Sequence, residues 1–251
     1  MTPKLLVINA DDFGFAPDVN AAIEELHQAG RITNTTLMVD GKHVDEALKI
    51  AHRNPSLGVG LHLDLCPVVG LYSLPYQQMR EDLRKPGTLN RVADEVTRQI
   101  NKFKGFGLDF HHMDGHRHFH ALPELFALVV EVAAGHGLKT IRFNKDWILP
   151  RTPSVYLEDD FFRASIRLLE RHNVAYGKFI NGWWDYSAAD VDSGWNELMV
   201  HVGYEDEHYS MERQRIASAE FLQEFETAGV QLHTYSEMAQ FRMAGTGRGK
   251  D

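Results

Sequence analysis

Apolar runs of strand length alternate with segments of helical period along nearly the whole chain. "KLLVINA" at residues 4–10 has the unbroken apolar character of a strand buried on both faces. "APDVNAAIEELHQAG" follows as a helix, with Pro17 near its start and Gly30 as its stop. "ITNTTLMVD", "LGVGLHLDL", "FHHMDGH", "TIRFN", "ELMVHV" and "VQLHTY" read as further strands. Between them "HVDEALKIAHRN", "VADEVTRQINKFKGFG", "LPELFALVVEVAAGHG", "DDFFRASIRLLERHN" and "RQRIASAEFLQEFETAG" read as helices. About seven strand–helix units at this spacing imply a parallel sheet, either a doubly wound open sheet or a closed barrel. The expectation is a single-domain, irregular β/α barrel of about seven strands, because metal-binding residue types recur at several strand ends. Residues 66–90, rich in Pro, Gly and Leu, read as an inserted loop, and 244–251 ("AGTGRGKD") as a disordered tail after a domain spanning 1–243.

Bulk properties narrow the function classes. The net charge of −9, from 26 basic and 35 acidic residues, disfavours nucleic acid or an anionic membrane and suits a neutral or cationic partner. The lone Cys66 excludes an intrachain disulfide and fits a reducing compartment. "LFALVVEVAAGHGL" is interrupted by Glu131 and is too short to span a bilayer. The first residues lack the pattern of a secretory signal, so a cytoplasmic location is expected.

Metal-binding side chains follow three of the apolar strands. Asp11 and Asp12 come after "LLVINA", His62 after "LGVG", and His116, His118 and His120 lie in the run "HHMDGHRHFH". In a parallel β/α fold these positions share the carboxyl edge of the sheet, where ligands bind. Imidazoles plus a carboxylate suit a divalent ion with a coordination position left open. Taken singly, the Asp pair reads as a helix cap, His62 as a satisfied half-buried histidine, and the run as solvated. Their joint occurrence favours a metal site.

"INADDFG", "GLHLDL" and "HMDGHRHFHALP", in that order, resemble the signature segments of the YdjC-like carbohydrate deacetylases. "TNTTLMVDG", the "IR" of Ile141–Arg142 and "ELMVH" extend the similarity; 66–105 and 145–195 carry it weakly. The resemblance implies a barrel related to polysaccharide deacetylases, with one divalent ion on Asp12, His62 and His116 and Asp11 as general base. It implies removal of an acetyl group from an N-acetylated mono- or oligosaccharide such as a chitooligosaccharide. The ion would activate a water and polarise the acetamide carbonyl. Zinc suits two imidazoles and a carboxylate, magnesium is associated with the family, and manganese, cobalt and nickel are also compatible.

The leaving amine needs a general acid, for which His201 is the candidate, although Val202 stands where the family usually has proline. In an extended segment His118 and His120 would share the direction of His116 and serve the surroundings of the ion or the substrate. Asp114 could fix the tautomer of a ligating imidazole, or simply stabilise a turn before Gly115. Arg142 could orient Asp11 or form a surface salt bridge. Trp183, Trp184, Tyr186 and Trp195, in a polar stretch, could be a sugar platform or core and interface residues. The 66–80 segment could support a homodimer through an apolar patch. Two alternatives remain open: a metallohydrolase of phosphoesters or cyclic amides, and a sugar- or metal-binding protein without catalysis.

Overall fold

The structure, a computed structural model, describes residues 2–69, 76–143, 159–181 and 186–245. In chain order the first elements are β1 (Lys4–Phe13), α1 (Pro17–Gln28), β2 (Asn34–Leu37), α2 (Val44–Arg53) and β3 (Gly58–Leu63). There follow α3 (Cys66–Val69), α4 (Tyr76–Leu83), α5 (Thr88–Gly105), β4 (His112–Gly115), α6 (Phe126–Gly135) and β5 (Thr140–Ile141). The rest are α7 (Asp159–Arg171), β6 (Lys178–Asn181), β7 (Gly194–Val200), α8 (Glu207–Ala217), α9 (Ala219–Thr227), β8 (Val230–Leu232) and α10 (Tyr235–Gly245).

Seven parallel strands run in the order β5-β4-β3-β2-β1-β7-β6, and β8 lies beside the first residues of β1. The two ends of this path meet at Ala175. Its N–H donates to the Lys139 carbonyl at 2.7 Å, and its carbonyl accepts from Ile141 N–H at 2.9 Å. The result is the irregular β/α barrel expected from the strand–helix alternation together with the metal-binding residue types at the strand ends.

β1 is central, and all of its residues after Lys4 are buried, so an apolar side chain is favourable on either face. Helices wrap the sheet with one face inward. In α1, Val19, Ala22, Ile23 and Leu26 are buried; in α5, Val92, Val96, Ile100 and Phe103 are. Each such Val, Ile, Leu or Phe stabilises the fold by about 1.5–3 kcal/mol through burial.

Several expectations need correction. Residues 66–90 are not one loop: α3, α4 and the start of α5 occupy its described parts, while 70–75 lie outside the described residues. The helix expected from Arg213 to Gly229 is two helices. Ser218 is extended (ψ 149) and its Oγ accepts from Phe221 N–H, capping α9. β6 and α10 were absent from the reading of the sequence. α10 runs past residue 243, and residues 246–251 of the expected tail lie outside the described residues.

Candidate metal and active site

The site lies at the carboxyl ends of β1, β3, β4 and β7. Asn9 and Asp11, two apart on β1, share a face, and Asn9 Nδ2 donates to Asp11 Oδ1 at 2.9 Å. In a regular strand Asp12 would point the other way. Here β1 holds one extra residue against β2, since Ala10 pairs with Thr35 and Phe13 with Leu37. Asp12 turns into the left-handed region at φ 65, which aspartate tolerates better than most residues. Both carboxylates therefore reach the same mouth.

Asp12 Oδ1 lies 3.1 Å from His62 Nε2 and 3.0 Å from His116 Nδ1, and its Oδ2 accepts from the Tyr204 hydroxyl at 2.6 Å. The three ligand atoms of Asp12, His62 and His116 fall within 4.8 Å of one another. His62 and Asp114 are register partners on β3 and β4, and His62 Nδ1 sits 2.7 Å from Asp114 Oδ1. That contact places the Nδ1 proton toward Asp114 and turns Nε2 toward Asp12. Burial opposes a charged His62, yet Asp114, Asp12 and Asp11 together raise its proton affinity well above the ordinary imidazole value. The pocket thus favours a positive charge where an ion would sit, and the donor set fits a divalent metal.

Arg142 is fully buried rather than at the surface. It donates to Asp11 through both terminal nitrogens at 2.7 Å, to Asp114 Oδ2 at 2.9 Å, and from Nε to Glu197 Oε1 at 2.5 Å. Burial works against ionisation of Asp11. The charge and hydrogen bonds of Arg142, with His62 and His201, outweigh it and hold the carboxyl well below the usual carboxylate range. Glu197 fares differently: burial pushes it up to about 6 despite Arg142.

His201, just past β7, puts Nε2 4.0 Å from Asp11 Oδ2 and is partly exposed. Its loop is anchored although Val202 replaces the family's proline. Glu212 Oε2 accepts from His201 N–H at 2.7 Å, and Val202 is fully buried. Burial pushes the Glu212 carboxyl up to about 9, so it is protonated at neutral pH.

The histidine run is not extended, and this overturns the shared direction expected for His116, His118 and His120. Residues His116–Ala121 form a 3₁₀ turn, with Arg117 and His118 at φ 51 and 60. His118 meets the Phe179 ring edge-to-face, centroids 5.9 Å apart, and burial and the Arg142 charge hold its imidazole well below the ordinary value. His120 Nε2 donates to the Arg142 carbonyl at 2.9 Å; burial lowers its imidazole to about 4. Both pack around Arg142, while His116 alone of the three reaches the cluster of Asp12 and His62.

Trp183 and Trp184 lie outside the described residues. Tyr186 is buried against Phe221, and Trp195 pairs with Leu5 at the opposite end of β1 beside His233. Neither joins the site. The sequence reading missed Tyr204, Asn9, Thr36, Glu197 and Glu212. Asn9 could have been found from alternation, since it shares its strand face with Asp11 two residues on. Tyr204 carried no such signal.

The comparisons agree with this architecture. Residues 5–241 match the family model described as YdjC-like protein. The chain is 34% identical over 179 residues to a chitooligosaccharide deacetylase of Enterobacter sp. (strain 638), covering 65% of this chain and 71% of that protein. A crystal structure of a candidate cellobiose-phosphate cleavage protein from Enterococcus faecalis V583 superposes with a TM-score of 0.72 at 22% identity, covering 94% of this chain and 99% of the other. A mutant of a CE4-family pseudoenzyme from Bacillus anthracis gives 0.51 at 13% identity, covering 94% and 67%. At such identities the two structures establish the shared barrel alone, and one of them is a pseudoenzyme, so the fold does not by itself specify catalysis. The family match, by contrast, spans Asp11, Asp12, His62, His116 and His201 and the strands that lead to them, and the chain belongs to the YdjC-like family.

Proposed function

We propose that the chain hydrolyses the acetamide of an N-acetylated mono- or oligosaccharide, such as a chitooligosaccharide, using one divalent ion held by Asp12, His62 and His116. The observation that carries this reading is the division of labour between adjacent aspartates. Asp12 converges with two imidazoles, while Asp11 is turned into Arg142 and left ionised beside them. When bound, the ion supplies Lewis-acid polarisation of a carbonyl and lowers the pKa of a water.

The chain's own residues account for the proton movements. Asp11, ionised at neutral pH, accepts the proton of the attacking water. His201, 4.0 Å from Asp11, delivers a proton to the amide nitrogen as the C–N bond breaks, giving acetate and the free amine. Asp114 holds His62 in the tautomer whose Nε2 faces the ligand set. Phosphoester cleavage fits less well, because Arg142, the cation buried beside the cluster, is already committed to three carboxylates.

The test is acetate release from a panel of N-acetylated sugars, with metal-stripped protein reconstituted with zinc, magnesium, manganese, cobalt or nickel. Release restored by an ion in wild type and lost in His116→Ala supports the reading. Stoichiometric metal binding without release from any of these sugars overturns it.

A further inference from the structure

Phe15 exposes 46% of its surface, the most of any large apolar side chain among the described residues. It does not stand alone. Its ring centroid lies 6.1 Å from that of Tyr204, Tyr204 lies 5.0 Å from Tyr209, and Tyr209 lies 5.3 Å from His201. The arc runs from solvent to the histidine beside Asp11. It joins two loops at the carboxyl edge of the barrel, the turn after β1 and the segment after β7.

The arc is held in place by groups already described. The Phe15 N–H donates to the Asp12 carbonyl at 3.0 Å, and the Tyr204 hydroxyl donates to Asp12 Oδ2 at 2.6 Å. Gly203, at φ 83, lies where an added Cβ would come within 2.4 Å of the Asp18 carbonyl oxygen, so the second loop packs directly on the start of α1. With its hydroxyl engaged by Asp12, Tyr204 offers a substrate its ring rather than a hydrogen bond. An exposed aromatic beside a polar cluster matches the two chemistries of a sugar, whose C–H face is apolar and whose rim is polar.

We propose that Phe15, backed by Tyr204, is a platform on which a pyranose ring of the substrate stacks. The proposal takes its ligand class from the deacetylase reading. Phe15 stands at the outer end of the arc, one ring beyond the Tyr204 whose hydroxyl bonds the Asp12 carboxylate, so the stacked ring is assigned as the one adjoining the ring that carries the scissile acetamide.

The test compares Phe15→Ala and Phe15→Trp with wild type, all metal-loaded, on N,N′-diacetylchitobiose and on N-acetylglucosamine. Loss of one stacking contact raises KM for the disaccharide about tenfold in Phe15→Ala and leaves kcat in place. KM for the monosaccharide stays put, and Phe15→Trp retains the wild-type KM for the disaccharide. Unchanged disaccharide KM in Phe15→Ala, while wild type releases acetate, overturns the platform and leaves the deacetylase intact. Calorimetric binding of N,N′-diacetylchitobiose to Asp11→Asn, with and without Phe15→Ala, reads the platform independently of turnover. Affinity lost with Phe15 supports it even where no acetate is released; equal affinity in the two proteins overturns it.

Discussion

Replacing Arg142 by methionine removes one buried cation from among Asp11, Asp114 and Glu197 while keeping a side chain of similar length. Leaving a buried charge without its partner costs about 3–5 kcal/mol. Against a total stability of about 5–15 kcal/mol, the variant folds at room temperature but melts roughly 6–20 °C lower. The pH dependence is the sharper signature. In wild type the depressed Asp11 carboxyl contributes stability above its unfolded value near 4, lost only in strong acid. Without Arg142 the Asp11 and Glu197 carboxyls lose the cation that most strongly opposes burial, and burial raises their folded pKa values. Groups raised in this way are fully accommodated below about 4 and lose stability as pH climbs through their folded values. The penalty for Arg142→Met therefore grows from pH 5 to pH 8. Urea unfolding of metal-stripped protein, followed by circular dichroism at both values, measures it. An equal penalty at the two pH values, or one below about 1 kcal/mol at pH 8, would refute the shared-cation account.

Two further outcomes follow from neighbouring contacts. Asp114→Asn weakens the hold on His62 Nδ1, so metal affinity measured by calorimetry falls about 10- to 100-fold, more than Thr36→Ala produces at the longer 3.3 Å contact. Glu212, raised by burial to about 9, takes up a proton on folding, so wild-type stability falls as pH rises from about 4.5 toward 9. Glu212→Gln keeps an acceptor for the His201 N–H and flattens that slope in unfolding titrations at pH 6, 7.5 and 9; a slope unchanged from wild type would mean that Glu212 is ionised in the fold.

What was legible in the sequence is what burial writes into it. β1 is apolar on both faces because neighbours and helices cover it; the alternation of strands with α1, α2 and α5 specified a parallel sheet, and the recurrence of metal-binding residue types at strand ends favoured closing it into a barrel. The convergence of Asp12, His62 and His116 was anticipated from strand ends and from the family resemblance. What was not legible depends on single-residue backbone events. The extra residue in β1 and the left-handed Asp12 bring two adjacent carboxylates to one mouth, and no pattern of side chains announces either. Left-handed Arg117 and His118 likewise scatter a histidine run that looked extended. The α8–α9 break rests on the conformation of Ser218 alone.

The central claim is that Asp12 holds the ion and Asp11 moves the proton. The most direct measurement pairs metal stoichiometry with acetate release for Asp11→Asn and Asp12→Asn, beside wild type on an N-acetylated sugar. The account predicts that Asp11→Asn binds one ion yet loses about 10²- to 10⁴-fold in kcat. Asp12→Asn loses both the ion and the activity. Full turnover in Asp11→Asn, or loss of the ion in both variants alike, would contradict it.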